Sequence, residues 1–168
     1  DIKPDISTYG KILGGGMPVG AIAASAKILD GLAPSGKIYQ AGTLSGNPVT
    51  MAAGIASLSC LFENNYYEHI DKIGTYLDNA IGKLKEKNDT PFYYKRVGAI
   101  FWICPGTNEE ITAPNEIPKE AAELYAKSYH KLLESGIYMS PSVYEVAFLS
   151  LAHDEKDIDA LVAALEKI

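Results

Sequence analysis

The first 46 residues are dense in glycine and small side chains: Gly14-Gly15-Gly16, the run Val19-Gly20-Ala21-Ile22-Ala23-Ala24, and the loop Gly42-Thr43-Leu44-Ser45-Gly46. Backbone of this kind makes tight turns and lets another chain segment or a ligand come close. From residue 66 onward the texture changes to amphipathic helices and short strands. The change places a domain boundary near residue 65 and divides the 168 residues into 1–64 and 65–168. That length suits one domain with a sizeable core, or one domain plus part of another. Neither an internal repeat nor a low-complexity tract is present.

Period and punctuation predict the elements. Val19 to Ala24, short and apolar between Pro18 and Ser25, reads as a buried strand. Asn47 is the expected N-cap of a helix with Pro48 at its first position, running to about Glu63. Its Ala, Gly and Ser with Ile55, Leu58 and Leu61 suggest burial on more than one face. Ile70, Ile73, Leu77, Ile81 and Leu84 fall at helical spacing and leave Lys83, Lys85, Glu86 and Lys87 for water. Tyr93 to Cys104, ending at Pro105-Gly106, predicts a strand pair. Ala121, Leu124, Tyr125, Tyr129, Leu132 and Leu133 mark a helix ended by Gly136. Val146 to Leu151 reads as a strand, and Asp154 caps a last helix with the stripe Ile158, Leu161, Val162 and Leu165. Strands alternating with helices give an α/β or α+β chain.

Composition narrows the function classes. Fifteen Lys+Arg against 21 Asp+Glu leave a formal charge of −6, the wrong sign for a nucleic-acid footprint or a polybasic membrane surface. Small molecules or other protein are the expected partners. Cys60 and Cys104 stand far apart with no CxxC or Cys/His cluster, so neither a disulfide framework nor a zinc site is expected, and reduced thiols fit a cytosol-like compartment. The start at Asp1-Ile2-Lys3-Pro4, without an initiator Met or a targeting segment, raises the expectation of a fragment of a longer protein.

Two segments are candidates for chemistry. Lys11 sits in Tyr9-Gly10-Lys11-Ile12-Leu13-Gly14-Gly15-Gly16. A lysine among glycines and apolar residues can lose solvation, which lowers its pKa and frees a neutral amine to attack a carbonyl. Taken alone the pattern is also that of a solvated lysine beside a flexible loop. It is no P-loop, because the lysine precedes the glycines. Gly42-Thr43-Leu44-Ser45-Gly46-Asn47-Pro48 leads glycine-rich backbone into a helix N-terminus, where unpaired N–H groups, the helix dipole and the hydroxyls of Thr43 and Ser45 suit an anion such as phosphate. A capping loop without a ligand has the same residues. His69 and His130 read as solvated, His153 as a turn residue, and the tyrosines as amphipathic core and interface residues.

Together the two segments resemble the class III branch of the fold-type I pyridoxal-phosphate enzymes. Tyr39-Gln40-Ala41-Gly42-Thr43-Leu44-Ser45-Gly46-Asn47-Pro48 is similar to the loop of the glutamate-1-semialdehyde 2,1-aminomutase family. So are Gly136-Ile137-Tyr138-Met139-Ser140-Pro141-Ser142 through Tyr144-Glu145, Ser150-Leu151-Ala152-His153 and Asp157-Ile158-Asp159. The resemblance covers nearly the whole chain and implies an α/β fold. Residues 1–64 would close the large cofactor-binding domain, and 65–168 would form the small C-terminal α+β domain.

The resemblance further implies that Lys11 is the Schiff-base lysine of pyridoxal 5'-phosphate and shuttles protons between substrate and cofactor carbons. Gly42 and Thr43 would hold the cofactor phosphate, Thr43 across the interface of a homodimer, while Glu145 and Ser45 would meet the substrate. The implied reaction converts glutamate-1-semialdehyde to 5-aminolevulinate in the cytoplasmic route to tetrapyrroles. The family's partner for the pyridine nitrogen, its main phosphate loop and its stacking aromatic lie before the position matched by Asp1, so the isolated chain is expected to be weak or inactive. Family members usually read Glu-Ala-Gly-Phe and Gly-Ser-Met-Phe where this chain has Glu145-Val146-Ala147-Phe148 and Gly98-Ala99-Ile100-Phe101. An ordinary class III aminotransferase is one alternative. Another is a fragment that serves only as a non-catalytic folding and dimerisation module.

Overall fold

The computed structural model describes residues 2–63, 65–87 and 91–168. They form two compact units, Asp1–Tyr66 and Tyr67–Ile168.

In the first unit, β1 (Ile6–Tyr9) pairs antiparallel with β2 (Ala21–Ala24), Ile6 opposite Ala24 and Tyr9 opposite Ala21. Between them the chain makes a 3-10 turn at Lys11–Gly14. The expected strand is therefore two residues shorter at its start than Val19 to Ala24, and it is not buried: Ile22 is 60% exposed. The apolar run favours a strand, but burial needs a layer on each face, and the two-stranded ribbon has none within this unit. A short helix α1 (Ala26–Leu29) follows, and then α2 (Pro48–Glu63). Asn47 caps α2 as expected, its Oδ1 accepting from Val49 N–H at 2.9 Å and Thr50 N–H at 3.2 Å. Burial on more than one face is not what α2 shows. Thr50 and Gly54 are buried and Ala53, Ser57 and Leu58 half-buried on one side, while Ile55 on the other is 67% exposed.

The second unit closes a core. On α3 (Tyr66–Lys87) the residues Ile70, Ile73, Leu77, Ile81 and Leu84 are all buried, as their spacing predicts. The strands β3 (Phe92–Val97) and β4 (Ile100–Pro105) form a hairpin in register from Phe92–Pro105 to Val97–Ile100, with Gly98 left-handed at φ +57 in the turn. Helix α4 (Ala121–Glu134) ends as the C-terminal glycine demands: Gly136 at φ +82 donates to Leu133 C=O at 3.0 Å, and Ile137 N–H reaches Leu132 C=O at 2.9 Å. Tyr93, Cys104, Ala121, Tyr125 and Val143 pack as one cluster, the Trp102 ring edge-on to Tyr93 at 6.0 Å.

The strand expected at Val146 to Leu151 shrinks to β5 (Ala147–Phe148), paired with Phe101 and Ile100 on β4. Ser150 N–H donates to His153 Nδ1 at 3.0 Å, so a side chain takes over the backbone donor and turns the chain before the ladder can continue. The same turn confirms the turn reading of His153. Asp154 then caps α5 (Glu155–Leu165), accepting from Lys156 N–H at 2.8 Å while Asp157 returns a carboxylate to Asp154 N–H at 2.8 Å.

Candidate functional site

The Lys11 turn starts from extended backbone at Gly10, then places Lys11 at φ +54. A left-handed residue with a Cβ costs about 1 to 2 kcal/mol. The turn is held locally by Leu13 N–H donating to Gly10 C=O at 3.2 Å and Gly15 N–H to Ile12 C=O at 3.0 Å, with Gly15 itself at φ +56. Nothing in the sequence signals that the lysine, rather than a neighbouring glycine, takes this conformation. The Lys11 side chain is exposed. The desolvation expected of it is thus not supplied by the described residues of this chain.

Leu13 of that turn, Val19 and Gly20 line a cleft of about 630 Å³ together with Gly42, Ser45, Gly46 and Thr50. The loop is folded by Ser45 N–H donating to Gly42 C=O at 2.9 Å and Asn47 N–H to Leu44 C=O at 3.1 Å. A Cβ at Gly42 would come within 2.9 Å of Ser45 Oγ, so glycine is what lets the hydroxyl fold back over the loop. Thr43 is exposed between the lining residues Gly42 and Leu44.

One expectation about this loop needs revision. The first free amides of α2, those of Val49 and Thr50, are already bonded to Asn47, and Pro48 has none to give. Exposed side-chain donors at this end of the cleft are the hydroxyls of Thr43 and Ser45, in the loop ahead of the helix. These donors fit the phosphate end of pyridoxal 5'-phosphate, and the exposed Lys11 amine fits its carbonyl.

Glu145 belongs to the second unit, whereas Lys11, Gly42, Thr43 and Ser45 all lie in the first. Its carboxylate is exposed on a bend where Glu145 N–H donates to Ser142 C=O at 3.1 Å and Tyr144 N–H to Ser142 Oγ at 3.2 Å. His69 is not the solvated side chain expected: it is half-buried, with Nε2 3.1 Å from the His153 carbonyl oxygen, because the α5 entry turn folds back onto its helix. His130 is exposed, with its ring edge-on to Tyr129.

No local pattern in the sequence signals a polar cluster found in the second unit. Asp78 accepts from Arg96 Nε at 2.9 Å, Arg96 Nη2 at 2.6 Å and Tyr94 Oη at 2.7 Å. Burial alone would raise the Asp78 carboxyl, but these hydrogen bonds and the Arg96 charge outweigh it and hold the group below its ordinary value. Burial, then the bond to Asp78, pushes the Tyr94 phenol up. The partners lie 18 and 16 residues apart in the chain, beyond any local pattern.

The sequence profile of the family Aminotransferase class-III matches residues 1–168. The chain belongs to this family. A glutamate-1-semialdehyde 2,1-aminomutase of Akkermansia muciniphila is 41% identical over 164 residues, covering 98% of this class-III chain and 38% of its own length. One of Clostridium beijerinckii is 40% identical over 168 residues, covering 99% and 39%. The chain thus spans about two-fifths of the length of the curated relatives it matches. Among solved structures, an omega-transaminase from Sphaerobacter thermophilus superposes with a TM-score of 0.83 at 23% identity, over 99% of this chain and 38% of that one. A transaminase with PLP bound gives 0.80 at 27% identity, over 98% and 38%. The fold is α/β and corresponds to part of a fold-type I transferase.

Proposed function

We propose that these residues are the C-terminal part of a pyridoxal-phosphate-dependent glutamate-1-semialdehyde 2,1-aminomutase, which converts glutamate-1-semialdehyde to 5-aminolevulinate. The reading assigns 1–64 to the end of the large cofactor domain and 65–168 to the small C-terminal domain. The carrying observation is Lys11: a primary amine on a left-handed turn whose Leu13 lines the same cleft as Gly42, Ser45 and Gly46. The substrate assignment is supported by the two relatives of that name at 41% and 40% identity. The cofactor assignment is supported by the transaminase with PLP bound, at 27% identity.

Bound pyridoxal phosphate supplies an electron sink for negative charge developing at the substrate carbon. Lys11 Nζ would hold the cofactor at its carbonyl carbon and would move a proton at the substrate carbon. Thr43 Oγ1 and the loop backbone around Gly42 would hold the cofactor phosphate, Thr43 doing so for the neighbouring subunit of a homodimer. Ser45 and Glu145 orient the substrate. The protein would act in the cytoplasm on a small molecule of the tetrapyrrole route, with no nucleic-acid or membrane partner. Among the described residues no helix is long and apolar enough to cross a membrane.

A second reading, an ordinary class III aminotransferase, is supported by the transaminase with PLP bound, at 27% identity. The deciding experiment uses the full-length protein that carries this chain. Borohydride reduction with pyridoxal phosphate should place a pyridoxyl group on Lys11, absent in Lys11→Ala, and glutamate-1-semialdehyde should turn over with no separate amino donor. A label on another lysine refutes the role of Lys11, and an obligatory amino donor with a keto-acid acceptor selects the aminotransferase.

A further inference from the structure

The turn that carries Lys11 holds a conformation its own side chain disfavours, at φ +54. A single left-handed residue of this kind persists where the surroundings over-determine it. Here the surroundings are one face of α2. Ser57 Oγ donates to Ile12 C=O at 3.4 Å, the oxygen that also accepts Gly15 N–H at 3.0 Å. Gly54 lies so close that a Cβ would stand 2.7 Å from the Leu13 carbonyl oxygen. Gly15, at φ +56, approaches from the other side: a Cβ there would stand 2.8 Å from the Ala53 carbonyl oxygen. Residues 53, 54 and 57 share one side of the helix, so the turn rests on small side chains, bonded at the Ile12 carbonyl oxygen and closely approached at that of Leu13.

We propose that Gly54 and Ser57 are positioning residues that fix the backbone of the Lys11 turn and so set where Lys11 Nζ stands relative to the cofactor. The inference rests on Lys11 being the cofactor lysine, and it requires no contact between α2 and the cofactor. An amine that both holds a cofactor and moves a proton tolerates little displacement, since roughly 1 Å of misplacement costs on the order of a hundredfold in rate. A methyl group at residue 54 would meet backbone, not a flexible side chain, so the spacing between α2 and the Lys11 turn must change to admit it.

The test uses the full-length protein with pyridoxal phosphate, read by the rate of borohydride-trapped labelling at Lys11, the pH titration of the bound cofactor's visible absorption, and a thermal melt. Gly54→Ala should slow labelling of Lys11 roughly tenfold or more and move the titration midpoint. Ser57→Ala should do the same to a smaller degree, and Ser57→Thr, which keeps the hydroxyl, should restore both. If Gly54→Ala does not fold, the two Ser57 variants decide. A lowered melting temperature with labelling rate and titration midpoint unchanged overturns the positioning role and leaves ordinary packing. No label at Lys11 in the unaltered protein overturns the cofactor-lysine reading, and the proposal with it.

Discussion

The two units of this chain solve different problems with similar helices. Among the described residues every buried hydrophobic side chain belongs to the second unit, from Ile70 to Ala164. In the first unit the buried positions are Gly14, Thr50 and Gly54, while Ile12, Ile22, Val49 and Phe62 are exposed. Helix α3 turns large aliphatic residues into a core, whereas α2 turns glycine and serine into close backbone contact with a turn. A small-residue face fixes backbone position at little hydrophobic gain, whereas an aliphatic face gains stability by burial. Apart from Glu145, the residues of the proposed chemistry accordingly sit in the first unit's turn and loop, and the buried apolar core in the second.

That contrast can be broken most directly at Leu77, which is fully buried. Leu77→Ala should cost about 2 to 5 kcal/mol in a urea unfolding curve of the 168-residue chain. A loss below 1 kcal/mol would mean that the second unit does not depend on its α3 core. Asp78→Ala comes next, at about 1 to 3 kcal/mol, because it strips acceptors from Arg96 and Tyr94. The 41% exposure of the Asp78 side chain pulls that figure toward the lower end.

The same carboxylate gives a pH signature. Its folded value is depressed, so its contribution is fully present above the unfolded value near 4 and is lost as the pH falls below that, through the folded value. Unfolding curves between about pH 2 and pH 6 should therefore flatten in Asp78→Asn relative to the unaltered chain.

Capping sharpens the comparison, because both units use it. Asp154→Ala and Asn47→Ala should each cost roughly 1 kcal/mol. Only the Asn47 change also frees two amides beside the cleft, and it should raise affinity for inorganic phosphate measured by isothermal calorimetry. The smallest effect belongs to Ile55→Ala, expected within about 0.5 kcal/mol at a 67% exposed position. A cost of several kcal/mol there would show that the outer face of α2 is covered in solution.

Much of the second unit was legible because its elements carry local periodicity. The stripe of α3, the glycine that ends α4 and the Asp154 cap depend on residues within one or two turns of each other. The strand at 146–151 was overextended for a related reason: the competing bond from Ser150 N–H to the His153 ring is local too, but it looks like ordinary polar sequence. In the first unit the Asn47 cap and the α2 start were readable, yet the buried strand and the many-sided burial of α2 were not. Their apolar composition reports a tendency to be covered, and covering is a property of neighbours.

By itself the sequence determined the four long helices α2 to α5, the Asn47 and Asp154 caps, and the family to which Lys11 and the Gly42–Gly46 loop point. The tertiary structure alone decided that Lys11 is left-handed and exposed, that α2 grips its turn through Gly54 and Ser57, and that Asp78, Tyr94 and Arg96 meet. The physical reason is range. Propensity, capping and amphipathic spacing act over a few residues, whereas close backbone approach and charge pairing depend on segments brought together from 16 to 45 positions apart.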